Sequence, residues 1–450
     1  MDAKTTLRSR APRSSGLLER YLAVRRATER LAEPLSPEDQ LAQSMHEASP
    51  VKWHLAHTSW FFETFVLSPA LPDYRPFHPD FGFLFNSYYD AVGERVARHR
   101  RGLLTRPALG EVRRYREHID GGVRALLERG EALDGNAREA LGENAPEALG
   151  ENVRETLVLG LNHEEQHQEL ILTDVQHLFS LNPLRPAYAP PVHATSPRRA
   201  APLRFLAREG GLCSIGHPGG GFAFDNEGPR HRVWLEPFEI ASRPVTNGEF
   251  QGFIEDSGYR RSELWLSDGW DTVVRESWSA PLYWERDGER WRRFTLGGPA
   301  DVDPAEPVVH VSYYEADAYA RWAGARLPRE EEWEHVAADV PLEGNFADSR
   351  ALRPLAREDP RASSGANPGT GAPVALFGDV WEWTQSPYAP YPGYRPLEGA
   401  LGEYNGKFMC NQFVLRGGSC ASPRGHLRAT YRNFFPPAAR WQFSGLRLCR

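Results

Sequence analysis

The sequence predicts two domains of different class, an all-α domain followed by an α+β domain. Three observations carry this. At 450 residues the chain is too long for one ordinary core. Residues 16–184 read mostly as amphipathic segments of helical period, whereas Gly, Pro and aromatic residues concentrate after residue 200. Between the two, residues 182–201 (NPLRPAYAPPVHATSPRRAA) hold five prolines and no apolar periodicity. This predicts a linker over 185–202 and a second domain over 203–450.

The totals exclude several functions. A formal net charge of −7 argues against nucleic acid or an anionic membrane as a main partner. No apolar run is long enough to cross a bilayer. The basic, Ser-rich start has no apolar signal region, so residues 1–15 are expected to be a disordered tail. Four cysteines, none in a C-x-x-C pair, make no disulfide framework and suggest a reducing cytoplasm.

The first helix is expected over residues 16–31. Ser36-Pro37-Glu38-Asp39 is a helix start, with Ser as N-cap, Pro at the first position and acids in the first turn. Ser49-Pro50 begins VKWHLAHTSWFFETFVL, where Trp53, His57, Trp60, Phe61 and Thr64 share one side and His54 lies near the same face. A Pro-, Phe- and Asp-rich loop over 71–87 follows, then Tyr88-Tyr89 and the basic run Arg95, Arg98, His99, Arg100, Arg101. That run is a solvated helix end or a clamp for a carboxylate, since guanidinium binds acids in bidentate fashion. After Arg106-Pro107 a helix is expected to about Arg129. Residues 131–152 then use one eight-residue unit almost three times (EALDGNAR, EALGENAP, EALGEN). Eight overshoots two helical turns, so a solvated loop between helices is expected there.

The stretch LNHEEQHQELILTDVQH places His163 and His167 four residues apart among helix formers, with Leu157, Leu161, Leu170 and Ile171 as packing residues. At 3.6 residues per turn both imidazoles fall on one face, as a divalent metal requires. The string is also H-E-x-x-H. A metzincin would continue with Gly at 170 and His at 173, but Leu170 and Thr173 stand there. No glutamate follows Glu169 until Glu209, beyond the Pro-rich linker. The protease reading is set aside, Glu164 becomes a solvated helix residue, and His57 or His54 remains to complete a metal set inside a four-helix bundle. A core histidine with satisfied hydrogen bonds is the plain alternative for each.

In the second part, His231–Leu235 and Pro307–Val311 alternate like short strands, and Thr246 and Ser312 sit where N-caps of short helices belong. Gly378-Asp379-Val380-Trp381-Glu382-Trp383-Thr384, Leu415-Arg416-Gly417-Gly418-Ser419, Phe443-Ser444-Gly445-Leu446-Arg447-Leu448 and Arg326-Leu327-Pro328 with Glu330, Glu332 and Trp333 resemble the formylglycine-generating-enzyme-like (sulfatase-modifying factor) domain. That domain has a C-type-lectin-like fold. Its copper-dependent oxidases use two cysteines four residues apart after the GGS motif. Cys420 here stands alone, so formylglycine generation is not expected. The first part, with His57, His163 and His167, resembles the DinB-like four-helix bundle. Together the two parts resemble the sulfoxide synthases of ergothioneine and ovothiol biosynthesis.

The resemblance implies a non-haem Fe(II) ion on His57, His163 and His167, and an O2-dependent union of a cysteine-type thiol with an imidazole carbon of hercynine. Three imidazoles leave iron with positions for thiolate, imidazole and O2. Gln166 is implied in binding the histidine-like substrate. Asn433 and Phe434 are implied for its trimethylammonium group, for which aromatic faces and amide oxygens are suited. Arg95 and Arg98, with Arg101 behind them, are implied for the carboxylate of the thiol. A tyrosine that delivers a proton is expected at Tyr88 and Tyr89, as in users of free cysteine, or at Tyr388 and Tyr391, as in users of γ-glutamylcysteine; the intact NSYYDAVGER string favours the first pair. A selenosugar-using synthase of selenoneine, an ovothiol-type synthase and a ligand-binding protein without catalysis remain the alternatives.

Overall fold

The computed structural model describes residues 14–141, 149–190, 200–357 and 371–450. The tail expected over 1–15 lies outside these, apart from Ser14 and Ser15, and so do residues 191–199 of the linker. The chain divides into two compact units. The first holds Met1–Asp174, Pro218–Phe224 and Glu398–Tyr404, and the second holds Val175–His217, Asp225–Leu397 and Asn405–Arg450.

The helices of the first unit are α1 (Ser14–Ala32), α2 (Pro37–Leu41), α3 (Val51–Phe62), α4 (Ser68–Ala70), α5 (Phe81–Phe85), α6 (Leu109–Leu141) and α7 (Glu151–Leu181); α7 crosses into the second unit after Asp174. The Ser36 cap forms as expected: the Asp39 amide donates to Ser36 Oγ and the Ser36 amide to the Asp39 carboxylate, a reciprocal capping box. Every residue of α3 is buried, which marks it as the central helix. A π turn, Glu63–Leu67, extends it. There the Glu63 carboxylate accepts the Tyr74 and Tyr115 hydroxyls and the Phe77 amide, tying the following loop to α6.

Two expectations for this unit are corrected. Helix α6 runs on to Leu141, so the first part of the 131–152 repeat is helical and not loop. Its unit is rich in Glu, Ala, Leu and Arg, and an interior glycine costs only about 1 kcal/mol, too little to end a long helix. Residues 142–148 of the repeat lie outside the described residues.

Glu164 is the second correction. It is fully buried, not solvated. Arg25 Nη1 of α1 donates to one of its oxygens at 2.9 Å, and Arg116 Nη2 of α6 to the other at 3.0 Å. Both guanidinium ions continue into α3, Arg25 to Ser59 Oγ and Arg116 to Thr58 Oγ1 and the Leu55 carbonyl. One carboxylate thus joins four helices. A solvent-facing position would have needed no partner, whereas a buried charge needs two here. Nearby, a Cβ added at Gly160 would meet Phe62 Cε1 at 2.5 Å and Phe61 at 3.0 Å, so this glycine lets α7 close on the aromatic end of α3.

The second unit opens with β1 (Phe205–Arg208), β2 (Gly211–Ile215), β3 (His231–Leu235) and β4 (Phe238–Ala241), in which β1 pairs with β4 and β2 with β3, both antiparallel. Next come α8 (Asn247–Glu255), α9 (Ser267–Glu276), a meander of β5 (Trp284–Asp287), β6 (Arg290–Thr295) and β7 (Gly298–Asp301), then α10 (Tyr313–Trp322) and α11 (Glu330–Ala337). The short β8 (Gly344–Asn345) and β9 (Phe377–Gly378) precede a four-stranded sheet in the order β12 (Asn433–Phe435), β11 (Phe413–Arg416), β10 (Trp381–Pro387), β13 (Ser444–Leu446). Strands β10 and β13 are parallel, and the other pairs antiparallel. Thr246 and Ser312 cap α8 and α10 with full capping boxes, as expected. Pro307–Val311 forms no strand: only Pro307 bridges, to Thr246, and His310 at φ 64 breaks any extended run.

The recognised motifs turn out to be the ionic frame of this unit. Glu382 of GDVWEWT accepts Arg447 of SGLRL through Nε at 2.9 Å and Nη2 at 2.7 Å, and the Trp333 indole at 2.8 Å. Glu330 accepts Arg416 of LRGGS and Arg432, each within 2.9 Å. At Gly417, φ 100 and a carbonyl 2.6 Å from any added Cβ require glycine.

Glu164→Gln removes the buried carboxylate that Arg25 and Arg116 share, leaving them only the more exposed Asp120 and Glu29, and is expected to destabilise the helical unit by about 3 kcal/mol, read as a lower urea midpoint of the far-ultraviolet transition. The same ion pair sets a pH dependence. Burial alone would raise the Glu164 pKa, but Arg25 and then Arg116 bring it from 4.5 down to about 2. Its stabilising effect is therefore complete above pH 4.5 and is lost as pH falls toward 2, a loss that Glu164→Gln should not show.

Candidate metal centre

Helix α3 supplies His57 and α7 supplies His163 and His167, all buried. The three offer one ligand atom each within 4.8 Å of one another. His163 Nε2 lies 3.2 Å from His57 Nε2 and 3.1 Å from His167 Nε2. The spacing of four residues on α7 thus brings two imidazoles together, and α3 supplies the third of a cluster that could hold a metal ion.

Each ring is held differently. His57 stands between Trp53 and Trp60, with ring centroids 4.4 and 5.4 Å away and near-parallel planes. Its Nδ1–H donates to the Phe85 carbonyl at 2.6 Å, which leaves Nε2 with its lone pair. The Arg101 guanidinium covers the far side of Trp53 at 3.4 Å, extending the stack. His167 Nδ1 faces His54 Nδ1 at 2.7 Å, and His54 Nε2 faces Asp174 at 3.1 Å. His54 is therefore a neighbour of His167 and not a member of the three-imidazole cluster. His163 packs on the Phe61 ring at 4.7 Å, and its Nδ1 has no hydrogen-bond partner among the described residues.

The electrostatics suit a metal. Burial holds His57 and His167 well below the ordinary imidazole range, helped in both by His163. Burial also brings His163 down to about 3 against the pull of Glu164. Three neutral imidazoles with converging Nε2 atoms and no carboxylate among them fit a first-row transition metal.

The other expected residues fall into two groups. In the first unit Gln166 is half-buried and accepts the hydroxyl of Tyr404. Tyr88 is half-buried and stacks on the fully buried Tyr89 at 4.7 Å. Tyr89 lies against Phe65 and Trp60. Arg95 is partly exposed and paired with Asp90, and Arg98 is exposed at the start of a 3-10 turn. Arg101 is buried, donating to Ser49 and Ser87 hydroxyls. Burial, with Arg98 and Arg95 beside it, lowers its pKa. In the second unit Tyr388 stacks on Phe434 at 4.0 Å and its hydroxyl accepts Asn226. Asn433 caps the Phe434 amide on β12. Tyr391 is held in the Glu330–Arg416 frame.

Sequence reasoning missed Tyr404. Its ring is 5.7 Å from that of His163 at 73°, it stacks on Phe224 at 5.5 Å, and Tyr88 lies 6.3 Å away. Glu403 beside it accepts the amides of Asp90 and Ala91 at 3.0 and 2.7 Å. No local pattern announces a residue 238 positions from its partner Gln166.

Comparison with known proteins agrees with this layout. Residues 20–171 match the DinB superfamily and residues 195–450 the sulfatase-modifying factor enzyme 1-like domain. A hercynine oxygenase of Mycolicibacterium thermoresistibile is 36% identical over 89% of this chain and 87% of its own length. This chain belongs to the hercynine oxygenase family. A hercynine oxygenase of Mycolicibacterium smegmatis is 34% identical over 89% of this chain and 90% of its own length. One from Mycobacterium tuberculosis is 42% identical over 50% of this chain and 55% of its own length. As in an oxidoreductase of the hercynine oxygenase family, the imidazole cluster can hold a metal ion. Among the described residues no helix is long and apolar enough to cross a membrane.

The wild-type chain is expected to bind one divalent ion, and His57→Ala or His163→Ala to lose it, measured by anaerobic titration with metal analysis after gel filtration. Retention of a full equivalent by His163→Ala would remove the centre from these residues.

Proposed function

We propose that this protein is an Fe(II)- and O2-dependent sulfoxide synthase that joins a cysteine-type thiol to hercynine. The observation that carries the reading is the buried, neutral three-imidazole cluster with Tyr404 on its edge, in a chain of the hercynine oxygenase family. Iron(II) bound there supplies the activation of O2. The balance is simple: the thiol loses S–H, the imidazole loses C–H, a C–S bond forms, one oxygen atom stays on sulfur and the other leaves as water.

His57, His163 and His167 would hold the ion through their Nε2 atoms. The Tyr404 hydroxyl, fixed by Gln166, is the proton donor the geometry favours. Tyr88, next to Tyr404, and Tyr89 behind it support that position. Gln166 orients the imidazole substrate. Asn433 and Phe434, with Tyr388 stacked on Phe434, take the trimethylammonium group on an aromatic surface. Arg95, Arg98 and Arg101 take the carboxylate of the thiol; Arg101 is buried against Trp53 and hydrogen-bonded to the Ser49 and Ser87 hydroxyls, with no carboxylate in ion pair among the described residues, and gives the stronger hold. Cysteine is favoured over γ-glutamylcysteine on the intact NSYYDAVGER string, whose Tyr88 lies against Tyr404. The protein acts on small molecules in the cytoplasm, without nucleic acid or membrane.

Oxygen uptake with hercynine plus cysteine, γ-glutamylcysteine or a selenosugar, with mass analysis, tests this. The expected product is the cysteine adduct of hercynine carrying one added oxygen. A selenium adduct would select the selenoneine alternative, an adduct on histidine alone the ovothiol type, and no adduct with any donor would overturn the reading. Tyr404→Phe is expected to lower adduct formation about 100-fold, in the range typical of a removed general acid, and to divert oxygen into thiol oxidation.

A further inference from the structure

We infer that His54 and Asp174 are a positioning pair that fixes the proton of His167 on Nδ1, so that its Nε2 meets the metal with a lone pair. The inference rests on the metal-centre reading above and adds two residues to it. Neither His54 nor Asp174 offers a ligand atom to the cluster.

The direction of each hydrogen bond follows from one end of the chain of contacts. The Ser49 amide donates to Asp174 Oδ2 at 2.8 Å, so that oxygen is an acceptor. The His54 Nε2 that faces the same oxygen at 3.1 Å must then donate. With that proton on Nε2, the Nδ1 of His54 is the acceptor toward His167, because a second proton there would force His167 to hold its own on Nε2, toward the cluster. Its lone pair faces His167 Nδ1 at 2.7 Å, which therefore carries the proton and donates it. With one proton per neutral ring, His167 Nε2 is left bare toward His163.

The arrangement solves a definite problem. In water the two tautomers of imidazole interconvert freely, and the commoner one would aim an N–H at the metal position. His57 is fixed by a carbonyl of α5, Phe85, at 2.6 Å. No such carbonyl is recorded at His167, which lies mid-helix on α7 where backbone oxygens are already engaged. A side chain from α3 takes its place. His54 is three residues before His57, and Asp174 is seven after His167, so the relay runs in the same α3–α7 seam as the ligands. All members are buried, with His54 2% and Asp174 6% exposed, so water does not compete for these contacts. Partners of this kind hold ligand rings in orientation and typically change metal affinity by about 10–100-fold when removed.

The test uses the intact chain and two readouts. On metal-free protein, imidazole 15N correlation spectra should show His167 as the Nδ1–H tautomer. His54→Leu should convert it to a mixture or to Nε2–H. His54→Asn, whose Oδ1 takes the place of Nδ1 as acceptor, should retain the wild-type tautomer. Asp174→Ala, which leaves every ligand and His54 in place, should shift it in the same direction as Leu and serves if His54→Leu does not fold. Anaerobic Co(II) titration should then show weakening of about 10–100-fold for His54→Leu and Asp174→Ala, with His54→Asn close to wild type. Unchanged His167 tautomer and Co(II) affinity in a folded His54→Leu or Asp174→Ala protein overturn the inference. Because the spectra need neither iron nor O2, their outcome is separate from that of the oxygen-uptake assay.

Discussion

The helical unit depends on a single carboxylate. Glu164 sits on α7 between His163 and His167 and is neutralised by Arg25 from α1 and Arg116 from α6, which also reach α3. Buried pairs of this type add little net stability over an apolar core of equal volume, but breaking one leaves an uncompensated charge. What it fixes is geometry. Glu164 lies about 100° round the helix from His163, so holding it holds the rotation of α7 about its axis. Gly160, one turn earlier, sets how closely α7 approaches the aromatic end of α3. Rotation and separation together decide whether two imidazoles of α7 meet a third from α3.

The proposed metal centre is built on that fixed seam. Its three rings are neutral because they are buried, and they are supported by unlike means: a tryptophan sandwich and a carbonyl for His57, a histidine and a carboxylate for His167, aromatic packing for His163. Tyr404 and Gln166 add a hydrogen-bonded polar pair beside the aromatic rings that pack on the cluster.

The second unit applies the same device to a different problem. Its strands are short and its loops long, so it cannot rely on ladder hydrogen bonds. Instead, Glu382 with Arg447, and Glu330 with Arg416 and Arg432, clamp distant segments inside the core. These residues form the motifs by which the domain is recognised. They report on the fold, and the chemistry is decided by other side chains on it.

The sequence by itself determined what depends on local period and local capping. The helices of the first part, the caps at Ser36, Thr246 and Ser312, the shared face of Trp53, His57 and Trp60, and the i,i+4 pair of His163 and His167 all rest on contacts within one or two turns. Family likeness then joined His57 to that pair. Four things were decided only in three dimensions. Glu164 reads as solvated because its partners are 48 and 139 residues away. His54 reads as an alternative ligand because its roles toward His167 and Asp174 need α3 and α7 side by side. The repeat reads as a loop because its period misses the helix, yet its residues favour helix strongly enough to extend α6. Tyr404 has no local signature at all. Periodicity shows which face of an element is inward, but only the packed structure shows what that face meets.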